Sequence, residues 1–281
     1  MTDAAVPVRS AKVTAQGTTA HARTIPAEVP VAFVYDGTTH AVMMASPTDL
    51  EDFAVGFSLA EGIIGAPQDM QGLDIVEHDK GIELRAWLVP DRGRKLAQRR
   101  RNLAGPTGCG LCGVESLEAA VPSCPHVSAE ATVTAEDIAA AQAALERAQM
   151  LNRQTRAVHG AGFWTKADEL VAVAEDVGRH NALDKLLGRL RRNSVRTADG
   201  IVLLTSRVSV EMVQKAAVAG APVIVAMSAP TALALHTAEQ AGITLVAVAR
   251  ADGFEVFTHP HRIAGVEAVQ TGRKGLVHHA A

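Results

Sequence analysis

"GIVLLTSRVSVEMVQKAAVAGAPVIVAMSAPTALALHTAEQAGITLVAVAR", residues 200–250, alternates short apolar runs with stretches of helical period. Ile201–Leu204, Val223–Ala226 and Ile243–Val248 are apolar without a break, which is the pattern of strands covered on both faces of a parallel sheet. Between them, "VEMVQKAAVAG" and "TALALHTAEQAG" read as crossover helices, with Gly220 and Gly242 placed where each should stop. The class is α/β.

Working outward toward the N-terminus, "RAVHGAGFW" and "ELVAVAED" predict two more strands, and "HNALDKLLGRL" a helix. Thr134 and Asp137 have capping-box spacing before a helix with Ile138, Ala141, Leu145 and Ala148 on one face. Residues 134–281 are therefore expected to form one α/β domain. Residues 29–89 read differently, as a small α+β domain. A hairpin is expected about Asp36-Gly37, a helix capped by Thr48 and Glu51 carries Phe53, Phe57 and Ala60 and ends at Gly62, and "LDIVEHDKGIELRAWLV" gives a second hairpin. Residues 1–28 are small, polar and Pro-interrupted, a flexible or strand-paired segment.

Residues 90–133 break the pattern. Between Asp91 and Arg101 stand six basic residues against one acid, and Pro and Gly punctuate the rest, so the expectation is a mobile basic loop. It carries "GPTGCGLCGVES", with Cys109 and Cys112 three positions apart among glycines. Nearby arginines and open backbone amides favour a thiolate, which is the reactive form of cysteine. Three readings stay open on spacing alone: a sulfur-handling pair, a redox pair, or a zinc site completed by Cys124 and His126.

Bulk properties narrow the field. The chain has 281 residues, 48% of them hydrophobic and only 3% aromatic, enough for a core built of Ala, Val, Leu and Ile. A net charge of −3 argues against a general nucleic-acid binder. Three cysteines make no disulfide framework, the N-terminus lacks the pattern of a signal peptide, and no apolar run has membrane-spanning length. The expectation is a soluble, reduced, cytoplasmic protein with neither nucleic acid nor membrane as partner.

Five ordered stretches together carry a resemblance: "TGCGLCG", "TRAVHGAGF", "EDVGRHNALDK", "SRVSVEMVQKAAVAG" and "THPHRI". From about residue 30 to about 263 the chain resembles FdhD, the formate dehydrogenase accessory sulfurtransferase family. That resemblance implies a sulfur carrier. A cysteine desulfurase passes sulfane sulfur to the pair, Cys109 bears it as a persulfide, Cys112 assists, and the sulfur goes to the molybdenum bis-molybdopterin guanine dinucleotide cofactor needed by formate dehydrogenase. It also implies a homodimer, no metal held by the protein itself, and a C-terminal α/β/α domain like that of cytidine deaminases. The deaminase motifs His-x-Glu and Pro-Cys-x-x-Cys are missing, so hydrolytic deamination is not expected.

The same resemblance places the guanine nucleotide, which GDP would mimic, at Val248, Ala249, Arg250, Ala251, Asp252 and Gly253. Independently, that loop follows a predicted strand, and ligands of open α/β sheets sit outside the carboxyl ends of strands. Arg250 suits phosphate, Asp252 the guanine edge, and Gly253 close backbone approach; without the resemblance "RADG" reads as a plain turn. Asp176, Arg179, His180, Ser206, Arg207 and Lys215 are candidate phosphate neighbours or ordinary caps and ion pairs, and His259-Pro260-His261 either lines the cofactor loop or ends the sheet. The competing function is a zinc-stabilised, cofactor-binding chaperone in which no sulfur moves.

Overall fold

The computed structural model describes residues 3–103, 124–129, 131–250 and 252–266. The opening stretch forms β9 (Gly200–Leu204), α6 (Val210–Ala219), β10 (Val223–Ala226), α7 (Ala232–Gln240) and β11 (Thr244–Arg250). β10 runs parallel to both β9 and β11, as the unbroken apolar runs require. β7 (His159–Thr165), β8 (Glu169–Asp176) and β12 (Gly253–Val256) extend the sheet antiparallel, in the order β12-β11-β10-β9-β7-β8. Alternate side chains leave opposite faces. Val202, Leu204, Ile224 and Leu245 join a core with α5 (Arg179–Arg192), α6 and α7, while Ile201, Leu203, Val223 and Val225 pack toward α3 (Ala135–Ala148). The result is an α/β/α sandwich. Gly220 caps α6 at φ 77°, and the reciprocal Thr134–Asp137 box starts α3.

The N-terminal region is a four-stranded sheet in the order β4-β3-β6-β5, built from β3 (Val29–Tyr35), β4 (Thr38–Ala45), β5 (Met70–His78) and β6 (Gly81–Leu88). Asp36 and Gly37, at φ 49° and 78°, make the expected turn. α1 (Leu50–Ala60) covers the sheet, with the Phe57 ring stacked on Phe33 at 4.0 Å. Before it, β1 (Ala5–Thr14) and β2 (Gly17–Pro26) pair as a largely exposed ribbon.

α1 also lies across α5 at backbone contact. A Cβ on Gly56 would stand 1.8 Å from Asp184 O, and one on Gly188 1.9 Å from Asp52 O. Charges close the same joint: Arg189 meets Asp52 at 2.8 Å and also Asp49, and Arg192 meets Asp52 at 2.6 Å and also Glu51. Beneath them the buried Lys185 Nζ donates to Asp176 at 2.6 Å and to Ser46 O at 2.9 Å.

Two expectations are corrected. No Thr48–Glu51 box caps α1; Asp49 occupies the cap at φ 52° without a side-chain bond, because Asp49 and Glu51 are engaged by α5 arginines. Nor is the basic stretch a loop as far as residue 103. It forms α2 (Pro90–Leu103), where Pro90 suits the first turn, Lys95 pairs with Asp91 at 2.7 Å, and Leu96 enters the N-terminal core. Residues 124–129 and 131–133 likewise belong to the sandwich, with Val127 N–H donating to Ala241 O and Val133 bridged to Ile263. Among the described residues no helix is long and apolar enough to cross a membrane.

Candidate functional site

The carboxyl ends of β9, β10 and β11 and the amino end of antiparallel β7 share one edge of the sheet. Here β11 kinks. Its register with β12 shifts between Ala247 and Arg250, and Val248 takes φ 51°, a left-handed conformation that a β-branched residue adopts only under strain. The kink leaves Ala249 buried and Arg250 exposed beside a cleft of about 870 Å³.

Opposite Arg250, α3 breaks at Gln149 and α4 (Met150–Thr155) begins. The Glu175 carboxylate accepts from the N–H groups of Leu151 and Asn152 at 2.7 and 2.8 Å, fixing the start of α4. Arg156 ends it at φ 55°. This path puts Arg153 and Arg156 on the cleft wall with Arg250, against a single wall carboxylate, Glu146, among the described residues. Three guanidiniums in one concavity suit a phosphorylated ligand. By contrast, a hollow of about 530 Å³ near the N-terminal ribbon is lined by Asp3, Asp49 and Glu175 and by no basic residue among the described residues.

His159 also lines the cleft. Burial, then the nearby Arg179, hold its imidazole below its ordinary pKa, with Asp176 opposing them. His180 is likewise lowered, first by burial and then by Arg179; its Nε2 lies 3.3 Å from Ser209 Oγ and 3.8 Å from Glu211.

Of the loop 248–253, Ala249 and Arg250 reach the cleft. Val248 forms the kink itself, its N–H donating to Ser228 O at 3.3 Å, while exposed Asp252 and Gly253 lie off the cleft wall. Ala251, Cys109 and Cys112 lie outside the described residues. Asp176 is unavailable to any ligand: besides Lys185 it accepts from the N–H groups of Ser46 and Gly178 and from Asn181. Lys215 is bound to the buried Asp184 at 2.6 Å, and Ser206 Oγ donates to Arg207 O. Arg207 is exposed, and Arg179 Nε has no partner among the described residues. His259 lies at the other end of β11, near Glu239 and Thr244, so it ends the sheet and lies away from residues 248–250.

Cys124 and His126 sit at that far end too, where Val127 meets Ala241. Cys124 leans on the large core, and burial pushes its thiol pKa up. Among the described residues no three His, Cys, Asp or Glu side chains are grouped to hold a metal ion.

Sequence reasoning passed over Gln149, Arg153 and Arg156. The available signal was a basic turn between a capped helix and a strand leading to the sheet's ligand edge, with no spacing rule to mark it.

Comparison with known proteins agrees with this architecture. The FdhD/NarQ family model matches residues 26–264. A sulfur carrier protein FdhD of Agrobacterium fabrum is 56% identical over 242 residues, covering 86% of this chain and 89% of that protein. A namesake from Xanthomonas campestris pv. campestris is 48% identical over 240 residues, covering 85% of each. The crystal structure of a candidate formate dehydrogenase accessory protein from Desulfotalea psychrophila superposes with a TM-score of 0.73 at 25% identity, over 93% of this chain and 100% of that one. With a family model spanning both the N-terminal sheet and the sandwich, this chain belongs to the FdhD/NarQ family.

Proposed function

We propose that this protein is a sulfur carrier that matures formate dehydrogenase. Family membership supports the sulfurtransferase role, and the arginine-lined cleft at the kinked end of β11 is the observation that carries the cofactor half of the reading. The Cys109 thiolate attacks the terminal sulfur of a cysteine desulfurase persulfide. The donor's S–S bond breaks, its cysteine leaves as thiolate, and Cys109 holds a persulfide, with Cys112 as companion thiol. Delivery breaks the new S–S bond. Cys109 departs as thiolate and the sulfane sulfur passes to the molybdenum of the bis-molybdopterin guanine dinucleotide substrate, the electron pair coming from the reduced metal.

The substrate's guanine nucleotide end lies in the cleft, its phosphates on Arg153, Arg156 and Arg250. The α/β/α layering supports a deaminase-like frame turned to nucleotide binding, and a second copy of the chain completes a homodimer. The test is a mass spectrum after incubation with a cysteine desulfurase and cysteine: one added sulfur on Cys109 is expected. Cys109→Ala should fold yet fail to activate formate dehydrogenase. An active donor that leaves Cys109 unmodified, or full activation by the variant, overturns the reading.

A further inference from the structure

Gln149 is held from both sides at the break between α3 and α4. Its N–H donates to Leu145 O at 3.2 Å, and its carbonyl accepts from Arg153 N–H at 3.1 Å. The residue is only 5% exposed, yet it lines the cleft. Among the described residues its Nε2 has no hydrogen-bond partner. A buried amide left unpaired is costly, so it needs an account.

Space for this amide is provided by Gly160. A Cβ there would stand 2.5 Å from Gln149 Nε2 and 3.0 Å from the amide carbon. Gly160 is itself fixed, its N–H donating to Thr205 Oγ1 at 2.9 Å. Whichever way the carboxamide is turned, one polar end faces Gly160 and the other the cleft. Charge on a ligand is already answered by Arg153, Arg156 and Arg250 on the same walls. With one end packed against Gly160, the carboxamide offers the cleft a single neutral hydrogen-bonding group; turned so that its N–H faces the cleft, it suits the carbonyl of an oxopurine ring.

We infer that Gln149 is a specificity-determining residue of the cleft, its side-chain amide hydrogen-bonding the base of the bound guanine nucleotide while the three arginines hold the phosphates. This rests on the reading that the cleft takes the nucleotide end of the cofactor, and it moves base recognition from Asp252, which lies off the cleft wall, to the helix break.

The experiment is calorimetric titration of the full chain with GDP and, separately, with inorganic pyrophosphate, which carries the charge without the base. Gln149→Leu is expected to weaken GDP about tenfold, the worth of a lost hydrogen bond, and to leave pyrophosphate unchanged. Gly160→Ala, whose methyl displaces the amide, should weaken GDP in the same sense. Arg250→Ala should weaken both ligands. Melting curves establish that each variant is folded. GDP binding unaltered in Gln149→Leu, or equal loss of both ligands in the folded variant, overturns the assignment and leaves the cofactor reading standing. If the native protein binds pyrophosphate but not GDP, the nucleotide reading falls and the assignment falls with it.

Discussion

Asp184 lies fully buried in α5, and burial raises its pKa to about 6 although Lys215 sits 2.6 Å away and pulls it down. Its folded pKa therefore exceeds its unfolded one, near 3.8, so the folded state binds the proton more tightly. The stabilisation is fully present below about pH 4 and is lost as pH rises toward about 6, amounting to about 3 kcal/mol. Melting temperatures of the native protein minus those of Asp184→Asn should fall across that window and level off above it. A difference that grows with pH would mean that Lys215 outweighs burial. The residue scale is also where the sequence was least informative. Arg250 was reached through the family resemblance, with its place after an apolar strand in support, whereas Gln149, Arg153 and Arg156 converge only through a helix break and a left-handed residue at Arg156. Such turns have no fixed spacing in sequence.

At the scale of elements, the crossing of α1 and α5 depends on the two glycines at its centre. Gly188→Ala would push a methyl to within 1.9 Å of Asp52 O, and a backbone carbonyl cannot swing aside as a side chain can. Overpacking of this kind costs about 3 kcal/mol. A urea titration should show that loss, and an unchanged midpoint would mean that the helices can separate freely. The parallel strands β9, β10 and β11 were readable because both faces are buried, so their apolar runs carry no polar interruptions. α2 was not. Its charges and Gly93 suggested a loop, and nothing local revealed that Leu96 would find the N-terminal core and Asp91 would pair with Lys95.

For the whole molecule, the joint between sheet and sandwich rests on a buried ion pair that also binds backbone. Lys185→Met leaves the Asp176 carboxylate buried without its counter-ion, at an expected cost of about 3–5 kcal/mol. Replacing Asp176 as well, in Asp176→Asn/Lys185→Met, should recover part of the loss, since the uncompensated charge is gone while the amide oxygen still accepts from Gly178 N–H and Asn181. Denaturant curves of the three proteins decide this, and a double variant less stable than the single one would refute it. The stretch "EDVGRHNALDK", one of the most distinctive in the chain, supplies Asp176, Asn181, Asp184 and Lys185 to contacts within the protein. A motif that reads like catalytic machinery is here largely scaffolding. Changes to those four residues should first show up as poor yield or early proteolysis in the cell, with sulfur delivery failing only because less folded protein survives.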